Sequence, residues 1–334
     1  MRLLSLFAAI CFSSSAVAGD DSSFVLTGTN GPGKGKSIVL VSGDEEYRSE
    51  EMLPALARIL AVHHGFSCTT LFAIDPKDGT INPNVTTNIP GLSALKNADL
   101  LILFTRFRNL PDDQMKYIVD YVESGKPVIG IRTATHAFAP SKDSKYAKYH
   151  WQGKEKGYEQ GFGRQVLGET WIAHHGKHGQ EGTRGILAKG QESQPILKGI
   201  KDGDVFGKSD VYRVRLPLPG DCVPLVYGQC TKSLDSKSDP VAGKENDPMM
   251  PVAWTKTYTG TAGKKARVFA TTIGCAQDFS SEGYRRLLTN AAFWCLGMES
   301  QITDTLDVDL VGEYKPSPFK VNGFRKGVKP SDLK

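Results

Sequence analysis

The 334-residue chain has no Cys-x-x-Cys pair, so the spacing of a structural zinc knuckle is missing. It has no apolar run long enough to cross a bilayer, which takes about 20 residues. It has no block of like charge, since 41 Lys and Arg are scattered among 36 Asp and Glu. A net charge of +5 without a basic face argues against nucleic acid as a partner. Six cysteines are too few for a disulfide scaffold, and a chain this long buries a core without such staples. There is no internal repeat. What remains is the composition of a globular domain, 40% hydrophobic and 23% charged.

The first 18 residues read as a secretory signal. Met1-Arg2 is positive, Leu3 to Phe12 is apolar, and Ala16-Val17-Ala18 supplies small residues for cleavage after Ala18. The mature protein is therefore expected to be exported, periplasmic or extracellular, without an integral membrane segment. Cys11 lies inside the apolar run and follows Ile10, which does not make a lipoprotein box. Removing Cys11 leaves Cys68, Cys222, Cys230, Cys275 and Cys295. An odd number cannot pair completely. Cys222–Cys230 is the pair nearest in sequence, set against the alternative of buried free thiols.

Strand and helix patterns alternate from residue 37 onward. Ser37 to Val41 and Asp99 to Phe104 are short apolar runs of the kind buried on both faces of a parallel sheet, and Phe66 to Phe72 and Pro127 to Ile131 read as strands too. Met52, Leu53, Leu56, Ile59 and Leu60 recur at helical spacing. Asp112 to Glu123 and Glu282 to Leu296 do so too. Pro251 to Trp254 and Ala266 to Thr272 add late strands, while the middle of the chain shows little regular pattern. The expected fold is α/β, a flavodoxin-like three-layer sandwich with a mostly parallel sheet. Residues 19–36 read as a flexible Gly-rich leader, 37–299 as one domain, and 300–334 as a loosely packed polar tail.

An open parallel sheet binds ligands beyond the C-terminal ends of its strands. Polar groups crowd those ends. The first strand leads to Asp44, Glu45, Glu46, Arg48 and Glu50; the third to Arg106 and Arg108; the fourth to Arg132, Thr133, Thr135 and His136; a late strand to Asp278. Asp44 and Ser49 can instead cap the first helix. The arginines can pair with the glutamates as well as hold a hydroxyl-rich ligand. A second cluster is Trp171 with His174, His175 and His178, three imidazoles in five positions. These are candidate ligands for a divalent metal, or hydrogen-bonding groups for a polar substrate.

Several segments together resemble the ThuA-like family, named for trehalose utilisation. They are IVLVSGDEEYRSEE, ADLLILFTRFRNLPDDQ, GKPVIGIRTATHAF, GFGRQVLGETWIAHHGKHG, PVAWTKTY, RVFATTIG and DFSSEGYRRLLTNAAFWCLG, spanning residues 37–298. The set looks most like secreted members from planctomycete-type bacteria. The resemblance implies a class I glutamine amidotransferase-like domain without its cysteine nucleophile, since Arg132 and Thr133 occupy that region. It also implies a role in sugar catabolism, particularly of oxidised (keto) glycosides. Many relatives carry Gly-His after the last strand, where this chain has Gly274-Cys275.

The leading expectation is an enzyme that removes a proton next to the carbonyl of a small-molecule keto-sugar or glycoside, leading to isomerisation, elimination or hydrolysis. His136 or Glu46 would be the base, and Arg106, Arg108 or Arg132 would steady the enolate. Asp44, Glu45, Arg48, Arg108, Thr133, Thr135, Trp171 and Asp278 would line the substrate, and His174, His175 and His178 would hold a metal. Rival expectations are a non-catalytic carbohydrate-binding module and, lowest, a hydrolase using Thr133 or Cys275. No cofactor beyond that candidate metal follows, and the sequence does not fix an oligomer.

Overall fold

The computed structural model describes residues 22–333. The expected signal segment, 1–18, lies outside them. Ten strands form one sheet in the order β1 (Ser23–Thr27), β3 (Ser67–Phe72), β2 (Ser37–Gly43), β4 (Leu100–Thr105), β5 (Val128–Ile131), β12 (Lys265–Thr271), β11 (Met250–Thr259), β10 (Val223–Thr231), β7 (Gly182–Leu187) and β8 (Phe206–Gly207). A separate two-residue ladder joins β6 (Ala173–His174) to β9 (Tyr212–Arg213). The α-helices are α1 (Ser49–Val62), α2 (Asp112–Glu123) and α3 (Glu282–Cys295).

The neighbouring strands β3, β2, β4, β5 and β12 are all parallel. Ile38 to Val41 and Leu100 to Phe104 are buried without interruption. Layers cover both faces of these strands, which is why their sequences are continuously apolar rather than alternating. β2 crosses through α1 to β3 in one direction, and β4 crosses through α2 to β5 in the other. Right-handed crossovers that run in opposite directions place α1 and α2 on opposite faces. The direction reverses between β2 and β4, so a crevice opens at their C-terminal ends.

The sheet is mixed rather than mostly parallel, which corrects the expectation. Among the described residues, β1, β11, β10, β7 and β8 attach by antiparallel pairings. Much of this extension comes from the stretch that looked irregular. β10 (VPLVYGQCT) contains Pro224 and Gly228, and its register with β11 shifts around Val226. Proline, glycine and bulges erase the alternation by which an antiparallel strand is recognised.

Leader and tail carry ordered contacts. β1 pairs with β3 along its whole length. Arg285 Nε donates to the Val308 carbonyl at 2.7 Å, Arg286 to Leu306 at 2.9 Å, and His64 Nε2 lies 2.7 Å from the Asp307 carbonyl. Further on, the Lys320 amide donates to the Glu46 carbonyl at 2.9 Å. The tail thus runs over α3 and α1 and reaches the loop after β2. All five described cysteines are free thiols, so the Cys222–Cys230 pairing does not form.

Candidate functional site

The loop after β2 is built around a buried carboxylate. Asp44 accepts from the amides of Glu46 (2.8 Å) and Tyr47, and from the Thr133 hydroxyl at 2.6 Å. Burial and the neighbouring Glu45 raise its pKa to about 6 against these hydrogen bonds. Neither Asp44 nor Ser49 caps α1. The cap position is Arg48, with φ 63°, and Ser49 Oγ instead accepts from the Asp44 amide. Arg48 turns to the tail, where Nε donates to the Pro318 carbonyl at 3.0 Å.

The loop after β4 supplies two arginines with different duties. Arg108 is fully buried and donates to Glu45 at 2.8 Å and to the Pro83 carbonyl at 2.8 Å. Arg106 is partly exposed, pairs with Glu45 and lies 3.4 Å from Glu46. Between them Phe107 has φ 52°. Its ring carries the Arg106 guanidinium on one side, 4.7 Å from the centroid, and packs 4.9 Å from the His136 ring.

β5 ends in a sharp turn at Arg132, φ 44°, leading into the short helical turn Arg132–His136. Strand-to-helix turns of this kind present a nucleophile in some hydrolases. Here the side chain is wholly buried. Arg132 lies between the rings of Tyr47 and Tyr212, 4.1 and 4.0 Å from their centroids. It donates to the carbonyls of Asp210 and Thr272, to the Tyr47 hydroxyl and to Asp210 Oδ1, all at 2.7–3.0 Å. Arg48, Phe107 and Arg132, in the loops after β2, β4 and β5, all hold the left-handed backbone that non-glycine residues avoid. Such strain gathers at functional sites.

His136 closes the turn. It is almost completely buried, ringed by Phe107, Trp151, Trp171 and Tyr212. Burial, then Arg106, Arg132 and His174, hold its pKa well below the ordinary histidine value, so the ring is neutral. Thr135 Oγ1 lies 3.1 Å from the Arg132 carbonyl and 3.1 Å from His136 Nδ1. His136 Nε2 has no hydrogen-bond partner among the described residues.

The histidine-rich stretch divides. His174 Nδ1 lies 2.7 Å from Asp210 Oδ2, and His178 Nδ1 lies 3.0 Å from Asp210 Oδ1. His178 Nε2 lies 3.1 Å from Glu46 Oε1. Hydrogen bonds to Asp210 and Glu46 push the His178 pKa up to about 9. Burial alone would raise Asp210, but Arg132 and the two imidazoles outweigh it and hold the carboxyl well below the usual range. Glu46 is likewise lowered, because His178 and Arg106 outweigh its burial. His175 points elsewhere, with Nε2 3.0 Å from the Glu245 carbonyl. Phe319 of the tail packs on both Tyr47 (5.4 Å) and His178 (5.2 Å).

The structure therefore brings Glu46, Arg106, His136, Trp171, His174 and His178 to one edge. Six expected contacts are internal supports instead. Asp44, Arg108, Arg132 and Thr133 are sealed behind that edge, and the Thr135 hydroxyl is taken up by the Arg132 carbonyl and the His136 ring. Asp278 is buried too and accepts from the amides of Lys208, Ser209, Gly274 and Cys275. Cys275 donates its thiol to Asp278, and burial lifts its pKa well above the ordinary thiol value. Neither it nor Thr133 is placed as a nucleophile. Asp210, Tyr47, Tyr212 and Phe107 were missed, because no local pattern distinguishes them from core or surface residues.

A family profile described as "ThuA: Trehalose utilisation" matches residues 37–295. The chain belongs to the ThuA family. Solved structures with a similar fold include a putative ThuA-like protein from Parabacteroides merdae, 15% identical, with a TM-score of 0.49 over 86% of this chain and 98% of that one. Another, from Bacteroides uniformis, is 13% identical, with a TM-score of 0.48 over 84% and 98%. No curated protein matches.

Two supports of this ThuA-family edge give direct tests. The turn carrying His136 rests on the π-helical turn Gly163–Leu167. A Cβ at Gly163 would fall 1.9 Å from the Thr135 carbonyl oxygen. Gly163→Ala is expected to cost on the order of 1–3 kcal/mol in urea unfolding, and to shift the His136 ring resonances in NMR spectra. Glu50, in the first turn of α1, has both carboxylate oxygens buried without partners. Burial raises its pKa to about 8. The folded state then binds a proton that the unfolded state has lost, so stability falls as pH rises from about 4.5 to about 8. Glu50→Gln is expected to flatten that decline, leaving the variant on the order of a few kcal/mol more stable than wild type at pH 8. Unfolding curves across that range check it.

Proposed function

We propose that the chain acts on a carbohydrate bearing a carbonyl group, of the keto-glycoside class, by removing the proton on the neighbouring carbon. The carrying observation is the neutral His136, whose Nε2 has no partner among the described residues and whose ring packs against Phe107, the ring that also carries the Arg106 guanidinium. A base and a cation side by side suit a C–H next to a carbonyl. Nε2 takes the proton, the C–H electron pair forms the enolate double bond, and Arg106 stabilises the oxyanion. Returning the proton to a different carbon isomerises the sugar. Expelling a β-alkoxide, which then takes up a proton, completes an elimination.

Glu46 is the weaker candidate base, because it is paired with His178 and Arg106 and held ionised. Arg132 is a positioning residue, since its donors are all turned to the protein. Trp151 and Trp171, which flank His136, also line an open cleft of about 680 Å³ faced by Gln160, Arg164 and Arg215. Aromatic faces beside amides and guanidiniums match the alternating apolar and hydroxyl surfaces of a sugar. The carbohydrate class draws on the family's trehalose-utilisation description. Export draws on the signal read at residues 1–18 and is tested by a mature N-terminus at Gly19.

The test is a 3-keto-disaccharide incubated with the purified protein in D₂O. Deuterium should enter next to the carbonyl far faster than in buffer. Exchange at the buffer rate, with the sugar nonetheless bound, would leave a binding module in its place.

A further inference from the structure

We propose that His174, His178 and Asp210 hold a divalent first-row transition-metal ion. One ligand atom from each lies within 4.8 Å of the other two, inside the reach of small side-chain rotations. Both Nδ1 atoms already face the two oxygens of one carboxylate, His174 at 2.7 Å and His178 at 3.0 Å. Two imidazoles and a carboxylate suit zinc, manganese, iron, cobalt or nickel, whereas magnesium and calcium prefer all-oxygen sites.

The surroundings are those of a metal centre as well. Imidazole ligands typically donate their second nitrogen to a carboxylate, and carboxylate ligands are themselves hydrogen-bonded. Here His178 Nε2 faces Glu46 at 3.1 Å, leaving Nδ1 for the ion. Arg132 donates to Asp210 Oδ1 at 3.0 Å and to its backbone carbonyl at 2.9 Å, fixing the carboxylate from behind. Both imidazole side chains are about one-third exposed, so an ion has a route in and keeps positions open for water or a substrate oxygen. The register of the small ladder, with His174 opposite Tyr212, places Asp210 two residues from the crossing.

This inference concerns binding and does not depend on the proposed reaction. The untagged protein is stripped with a chelator, dialysed and titrated with Co²⁺ and with Zn²⁺, followed by visible absorption and calorimetry. One equivalent should bind, with cobalt d–d bands of a low-coordinate site. His174→Ala and His178→Ala should each weaken binding at least roughly tenfold, while His175→Ala binds as wild type. Binding of clearly less than one equivalent to the wild-type protein overturns the proposal, whatever the variants do. So does an equal loss in His175→Ala.

Discussion

Replacing His136 with glutamine is expected to lower turnover of a keto-disaccharide by about 10²- to 10⁴-fold, the range general-base residues contribute. The chain should still fold, because the ring makes one side-chain hydrogen bond, to Thr135, and otherwise packs among aromatics. Glutamine has similar length and polarity but no basic nitrogen. Circular dichroism and a melting curve confirm the fold, and deuterium incorporation reads the chemistry. The neighbouring cations make the outcome sharper. Arg106 and Arg132 disfavour an imidazolium in the resting site. They stop disfavouring it once an enolate has formed opposite, so the base is matched to a step that creates negative charge. Glu46→Gln should cost less, since that carboxylate is already paired. Wild-type turnover in His136→Gln would remove this residue from the mechanism.

Replacing Arg132 with methionine is expected to destabilise the fold by about 3–5 kcal/mol, the cost of breaking a buried ion pair from one side. Methionine fills much of the volume but donates nothing. Asp210 would keep its two imidazoles and lose its guanidinium, and the carbonyls of Asp210 and Thr272 would lose a buried donor. Tyr47 and Tyr212 would lose the cation packed between them. Arg106→Met should cost far less, because its side chain is partly exposed and Glu45 keeps Arg108. Urea unfolding of the two variants at pH 7 separates the roles. A loss below about 1 kcal/mol in Arg132→Met would show that the pair is dispensable.

The contrast between these two arginines marks where sequence reading stops. Arg106 and Arg132 each follow an apolar strand and look equivalent in the chain. Arg106 stays at the rim, its guanidinium over the Phe107 ring and paired with Glu45 and Glu46. Arg132 turns inward because its own φ is positive and two tyrosines from distant segments close over it. The central parallel strands β2 and β4 were legible, since burial on both faces leaves nearly unbroken apolar runs. β10 was not, because Pro224, Gly228 and a register shift hide its alternation. The leader and tail were read as loose because polar segments gain order only from the surface they lie on.

The sequence by itself determined that four strands end at one edge and that acidic, basic and imidazole groups crowd there. Strand direction is a local consequence of hydrophobic pattern and crossover length, and direction fixes which loops share an edge. Only the tertiary structure decided which of those groups face outward and which brace the others. It alone joined Asp210 to His174 and His178 and sent His175 away. That choice rests on a two-residue antiparallel register between segments almost forty residues apart, and side-chain direction in a strand alternates with each step of register.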